Sequence, residues 1–172
     1  MVDGLDELFW IFPEQRKIME LTPAILGAVE ACLGYVFKDK SLLIRALTRK
    51  AYALEQHQKG LKCEDQEVFR TLGDAILKAL LVELLIKNGC SDRGVLTIRK
   101  SSLEERESLG AMEPAVSIAP YMRLGNGEYK LQVNQQKSVV GETFEAIIAA
   151  IYLDGGHEII KQLVTGWFEE LL

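Results

Sequence analysis

Cysteine, histidine and proline are scarce in this 172-residue chain, at three, two and four copies. Cys32, Cys63 and Cys90 are odd in number, widely spaced and without any CxxC pairing. That excludes a disulfide framework or a zinc site built on them, and a reducing, cytoplasmic compartment is the expectation. They read as buried small residues. His57 and His157 have no metal-binding or base-forming spacing and read as surface or capping residues. Positive charge is not in surplus: the net charge is −5, so any contact with nucleic acid must come from a local patch or a metal ion. The most apolar run, 75–86, is broken by Lys78 and Glu83 and is too short to span a bilayer. Asp3, Asp6 and Glu7 stand where a signal peptide would carry basic residues.

What is present is an ordinary domain's worth of core-forming sequence, 48% hydrophobic and 26% charged. Residues 1–27 read as an extension whose apolar cluster, Leu8, Phe9, Trp10, Ile11 and Phe12, is expected to pack on the body of the protein. Residues 28–172 read as the domain itself. Thr22-Pro23 gives a helix start, with Gly34 as its stop. Ser41 is expected to cap a second helix through Leu47. The apolar period is lost over 53–65, read as a loop or outer helix end. Helical spacing returns over 66–87, with Leu72, Ile76, Ala79, Leu80 and Leu84 on one side. Further helices are predicted over 96–112, 139–153 and 157–172, the last with Ile160, Leu163, Val164, Trp167 and Leu171 on one stripe, with 123–134 as a loop or small hairpin. The fold class is all-α.

Carboxylates stand beside segments that must be buried, at Gln66–Asp74 and again at Gly141–Ala146. Burying an ion costs several kcal/mol unless a counter-charge is supplied, so these stretches need an explanation. Glu142 and Glu145 are three apart and share a helix face, while Asp74 stands one turn beyond Arg70. If the two helices pack together, Asp74, Glu142 and Glu145 could share one oxygen-loving divalent cation, magnesium or manganese. Glu67 is roughly 10 Å from Asp74 along the axis, too far to share that ion. The competing reading of Glu67, Arg70 and Asp74 is an ordinary intrahelical ion-pair ladder.

Leu33-Gly34-Tyr35-Val36-Phe37, Leu42–Thr48, Leu72-Gly73-Asp74-Ala75-Ile76-Leu77, Gly141–Ala146 and Ala150–Gly156 together resemble the ribonuclease III catalytic domain. The resemblance runs over roughly 28–170 and implies a homodimeric, all-helical endonuclease that cuts double-stranded or structured RNA with Mg2+ or Mn2+. The family signature Asn-Glu-x-x-Glu-Phe-Leu-Gly-Asp stands here as Gln66–Asp74. Glu67 and Asp74 are kept, the second Glu, a metal ligand in active members, has become Arg70, and the interface Phe has become Thr71. The family's Asp-x-x-Glu is matched by Glu142 and Glu145.

The resemblance therefore assigns Asp74, Glu142, Glu145 and Glu67 to catalysis and the first three to the metal. Arg70 is the departure that divides the functional readings. A guanidinium swung to solvent leaves room for a metal-dependent endoribonuclease. One directed into the carboxylates favours a catalytically silent domain that binds RNA or a protein partner. Lys100, Arg106 and Lys137 are candidates to meet phosphates, with solvated charge as the plainer reading. The length leaves no room for the double-stranded-RNA-binding domain that commonly follows, so RNA affinity is expected to be weak and strongly salt-dependent.

Overall fold

The computed structural model describes residues 21–171, and of Glu113 the backbone only. The aromatic cluster at 8–12 lies outside the described residues. Helix α1, Pro23–Leu33, begins where Thr22 caps it, its hydroxyl accepting from Ile25 N at 3.4 Å, and ends at Gly34 with φ 69°. Only glycine reaches that left-handed conformation without a steric penalty, so the residue stops the helix as the sequence implied. Helix α2, Lys40–Ala46, is capped by Asp39 and not Ser41: the Asp39 carboxylate accepts from Ser41 N at 2.9 Å. Helix α3, Lys50–Gln58, ends within the span read as a loop or outer helix end; it buries only Ala53 and so has no apolar stripe to announce it.

Helix α4, Glu67–Lys87, is the longest element. It buries Phe69, Gly73, Leu77, Leu80, Leu81, Leu84 and Leu85; Ala79, assigned from the sequence to the inward side, faces solvent. The span 96–112 is two helices and not one. Helix α5, Arg93–Glu104, ends where Glu105 turns to extended backbone, and α6, Arg106–Leu109, follows in a new direction. Helix α7, Glu113–Ile118, runs into a 3-10 turn at Ala119–Tyr121. The glycine-bearing segment after it is not a hairpin: it forms α8, Asn126–Lys130, and a 3-10 turn at Val133–Gln135. Among the described residues there is no strand, only an isolated parallel bridge between Thr48 and Arg123.

Helix α9, Lys137–Gly155, is the axis of the core. Its residues 143–151 are buried without interruption. A helix apolar all round has to be surrounded, and α9 packs on α2, α4, α6 and α10, the last being His157–Phe168. Phe144, Ile147, Ile148 and Ile151 meet Leu43, Leu77, Leu81, Ile160, Val164 and Phe168 in one cluster. On α10, Leu163 and Trp167 pack against this cluster while Leu171, beyond the helix, is exposed. The cysteines do not behave as core residues: Cys32 is exposed, and Cys63 and Cys90 are half-buried.

Candidate active-site cleft

Two glycines let the backbones bearing the carboxylates come together. Gly73 on α4 lies so close to α9 that a Cβ there would fall 2.6 Å from the carbonyl carbon of Glu145, well inside the roughly 3.5 Å at which carbon atoms rest. Gly141 on α9 meets the backbone of Arg106 in the same way. Asp74, next to the first glycine, and Glu145 therefore reach one open cleft of about 570 Å³. Lys78 of α4, Ser101, Ser102 and Glu104 of α5, Glu105 and Arg106 complete its wall.

Glu145 is 2% exposed. Its nearest cation is the Arg106 Nε at 3.6 Å, longer than a normal hydrogen bond. Burial raises its carboxyl, Arg106 and Arg70 oppose this, and the charges of Asp74 and Glu142 add to it; the result is a pKa pushed up to about 7. Asp74 lies nearer the surface and pairs with Lys78 at 2.8 Å, one helical turn on. The hydrogen bond to Asp74 raises the Lys78 ammonium above its ordinary value.

Glu142 points elsewhere. One oxygen is 2.8 Å from Nη2 of Arg70 and 3.3 Å from Nη1 of Arg106, while the other accepts from Nη1 of Arg49 at 3.2 Å. Arg70 also holds Glu67 at 2.8 Å, and Arg49 holds Glu128 at 2.7 Å. Burial works against the Arg49 charge, but the hydrogen bonds and charges of Glu128 and Glu142 outweigh it and raise its pKa. Of the carboxylates singled out from the sequence, the structure thus joins Asp74 and Glu145 in the cleft, puts Glu142 among guanidinium groups, and leaves Glu67 outside the cleft, paired with Arg70 and with a side chain 43% exposed.

Among the described residues no three Asp, Glu, His or Cys side chains are placed to hold a metal ion. The physical reason is the pairing: Arg70 stands against the oxygen that Glu142 would offer, and Lys78 against one of Asp74's. As placed, Asp74, Glu142 and Glu145 do not fit a divalent cation.

Sequence reasoning missed Arg49 and Glu128. Arg49 lies 93 residues from Glu142 and 79 from Glu128, so no local spacing links them. Lys78 was missed as well, although its i+4 spacing from Asp74 is a local signal for the pair. The hydroxyls of Ser101 and Ser102 gave no signal beyond their place near the end of α5.

Comparison with known proteins accords with this architecture. Residues 39–171 match the Ribonuclease-III-like family model. Ribonuclease 3 of Geobacter sulfurreducens is 34% identical over 141 residues, 81% of this chain and 56% of that protein. Ribonuclease 3 of Pseudomonas fluorescens is 34% identical over 143 residues, covering 83% of this chain and 58% of its own length. The chain thus spans less than two thirds of the curated relatives it matches. The nuclease domain of ribonuclease III from Campylobacter jejuni superposes with a TM-score of 0.74 at 28% identity, over 84% of this chain and 96% of that domain. Together with the all-helical fold and the two carboxylate-bearing helices, these matches establish that the chain belongs to the ribonuclease III-like family.

Proposed function

We propose that this chain acts as an endoribonuclease of the ribonuclease III type, hydrolysing phosphodiester bonds in double-stranded or structured RNA during RNA processing. The observation that carries this reading is the meeting of Asp74 and Glu145, from different helices, in one open cleft with Lys78 and Arg106 on its wall. Phosphodiester hydrolysis needs a proton acceptor for the attacking water and positive charge at the phosphate oxygens. A carboxyl held near pKa 7 can exchange protons at neutral pH, and Arg106, half exposed on the cleft wall beside Glu145 and Glu142, presents a guanidinium to a phosphate there. Mg2+ or Mn2+ is the cofactor the family relationship suggests. Its entry requires Arg70 to leave Glu142.

A homodimer accompanies this reading. Helix α4 carries an uncharged stripe, Val68, Thr71, Ala75, Ala79, Val82 and Ile86, at helical spacing along its outer side. Val68 is 65% and Ile86 56% exposed, the kind of surface a second copy would cover. Among the described residues no helix is long and apolar enough to cross a membrane. A cytoplasmic site of action goes with the proposal.

The contact of Arg70 with Glu142 favours a second reading, a catalytically silent domain that binds RNA or a protein partner. Cleavage of a labelled RNA duplex with Mg2+ or Mn2+ separates the two. Cleavage by the native chain that is lost in Asp74→Asn supports the enzyme. No native cleavage, with activity gained in Arg70→Glu, supports the silent domain.

A further inference from the structure

The charges around Glu142 balance without help from outside. Glu67, Glu128 and Glu142 face Arg49, Arg70 and Arg106, three charges of each sign, with Glu145, the carboxyl held near pKa 7, beyond them at 3.6 Å from Arg106. The centre of the cluster is withdrawn from water, the side chains of Arg49, Arg70, Glu128 and Glu142 being 15%, 18%, 20% and 18% exposed, while Glu67 and Arg106 at its edge are 43% and 52% exposed. Arg70 sits at its centre, bridging Glu67 and Glu142 at 2.8 Å each. Its Nε is buried without a hydrogen-bond partner, so the carboxylates, rather than a complete set of its own hydrogen bonds, hold the guanidinium there. A dication entering such a cluster would add two positive charges beside fixed guanidinium groups, in surroundings where charges are screened less than in bulk water.

We infer that Arg70 is the site's built-in counter-ion: it occupies, against Glu142, the place that a divalent cation would need. The native chain accordingly binds Mg2+ or Mn2+ weakly, and loss of the Arg70 charge admits the ion. Arg70→Glu changes the cluster from three charges of each sign to four negative and two positive, a surplus equal to one divalent cation. This inference stands on the ion-pair geometry and does not require that the chain cleave RNA.

The test uses the full chain with Mn2+ as the probe, bound ion read by electron paramagnetic resonance and stability by thermal unfolding with Mn2+ or EDTA. The native chain is expected to melt at the same temperature in both. Arg70→Glu is expected to melt lower in EDTA, recover with Mn2+ and bind one ion per chain. At a free Mn2+ concentration about 100 times its dissociation constant, its folding equilibrium constant should rise about 100-fold. Arg70→Gln removes the cation without adding a carboxylate, and it decides the matter if Arg70→Glu does not fold: it should bind Mn2+ more tightly than the native chain. Native binding as tight as that of either variant overturns the inference. So does a folded Arg70→Gln with no gain in Mn2+ affinity. Neither readout involves RNA, so failure of the proposed nuclease activity would be seen separately.

Discussion

Gly73 joins the fold to the cleft, and Gly73→Ala should damage both. A Cβ there meets the carbonyl carbon of Glu145 at 2.6 Å and the Ala149 nitrogen at 3.3 Å. Carbon atoms rest about 3.5–4.0 Å apart, and the Glu145 carbonyl oxygen lies nearer still, so α4 and α9 must separate by at least about 1 Å. Both obstacles are helix backbone, which cannot rotate away as a side chain would. Overpacking at yielding sites costs about 1–3 kcal/mol, and this site should lie at or above the top of that range. The separation also moves Asp74 away from Glu145 across the cleft, and a misplacement of about 1 Å can lower a rate about 100-fold. Urea unfolding of the native and variant chains measures the first effect. Duplex cleavage, or duplex binding if cleavage is absent, measures the second. An alanine variant within about 0.5 kcal/mol of native stability would refute the close-packing argument, since that is the scatter of surface substitutions.

The remaining predictions concern titration and a loop anchor. Glu145 has its folded pKa raised from 4.5 to about 7, so the protonated form is the one the fold favours. Its contribution to stability is full below about pH 4.5 and is lost as the pH rises through about 7, a change on the order of 3 kcal/mol. Glu145→Gln should remove that loss, gaining on the native chain between about pH 5 and 8 in denaturant titrations; parallel stability curves would contradict it. Asp154, at the end of α9, accepts from Tyr35 Oη at 2.7 Å, Lys38 N at 2.8 Å and Asp39 N at 2.9 Å, tying the turn before α2 to the core helix. Asp154→Ala should cost about 2 kcal/mol by denaturant unfolding. Burial raises the Asp154 carboxyl, yet the Tyr35 hydrogen bond, the two backbone donors and the Lys38 charge outweigh burial and leave it below its ordinary value. That stabilisation is present above the unfolded-state pKa and disappears as the pH falls, so Asp154→Asn should flatten the acid limb of the stability curve. An unchanged acid limb would rule the anchor out.

Elements with a local cause were legible in the chain. Thr22, Pro23 and Gly34 bound α1 through capping chemistry that needs no tertiary partner. Helix α9 announced itself by its uninterrupted apolar run. The misread elements owe their form to distant contacts. Helix α3 buries one residue, and its start is tethered by Arg49 N donating to Arg123 O at 3.1 Å, a partner far along the chain. The break at Glu105 has no glycine or proline to mark it. It allows buried Leu109 and closely packed Gly110 to dock on α9, where a Cβ at Gly110 would meet the backbone of Lys137. Gly125 and Gly127 signalled a turn, but Glu128 reaches back to Gly125 N at 3.2 Å and starts a helix instead. In the cleft, Asp74 and Glu145 were readable from spacing and resemblance, while the direction of Glu142 was not, because Arg49 comes from elsewhere in the fold.

That direction is what gives the arginine at position 70 its meaning. Read along the helix, Glu67 and Arg70 form an i,i+3 pair of the kind that contributes a few tenths of a kcal/mol on an exposed surface. Across the fold, the same guanidinium also holds Glu142, whose other oxygen is held by Arg49, which in turn holds Glu128. The chain of pairs joins α4 to α9, α9 to the start of α3, and that start to α8. Removing one member would leave a partner charged and poorly solvated, which costs far more than the helix pair alone. Arg70 is therefore more than one half of a local helix pair. It places the charge balance within the protein, and it makes the geometry of Glu142 a property of the folded chain rather than of a bound ion.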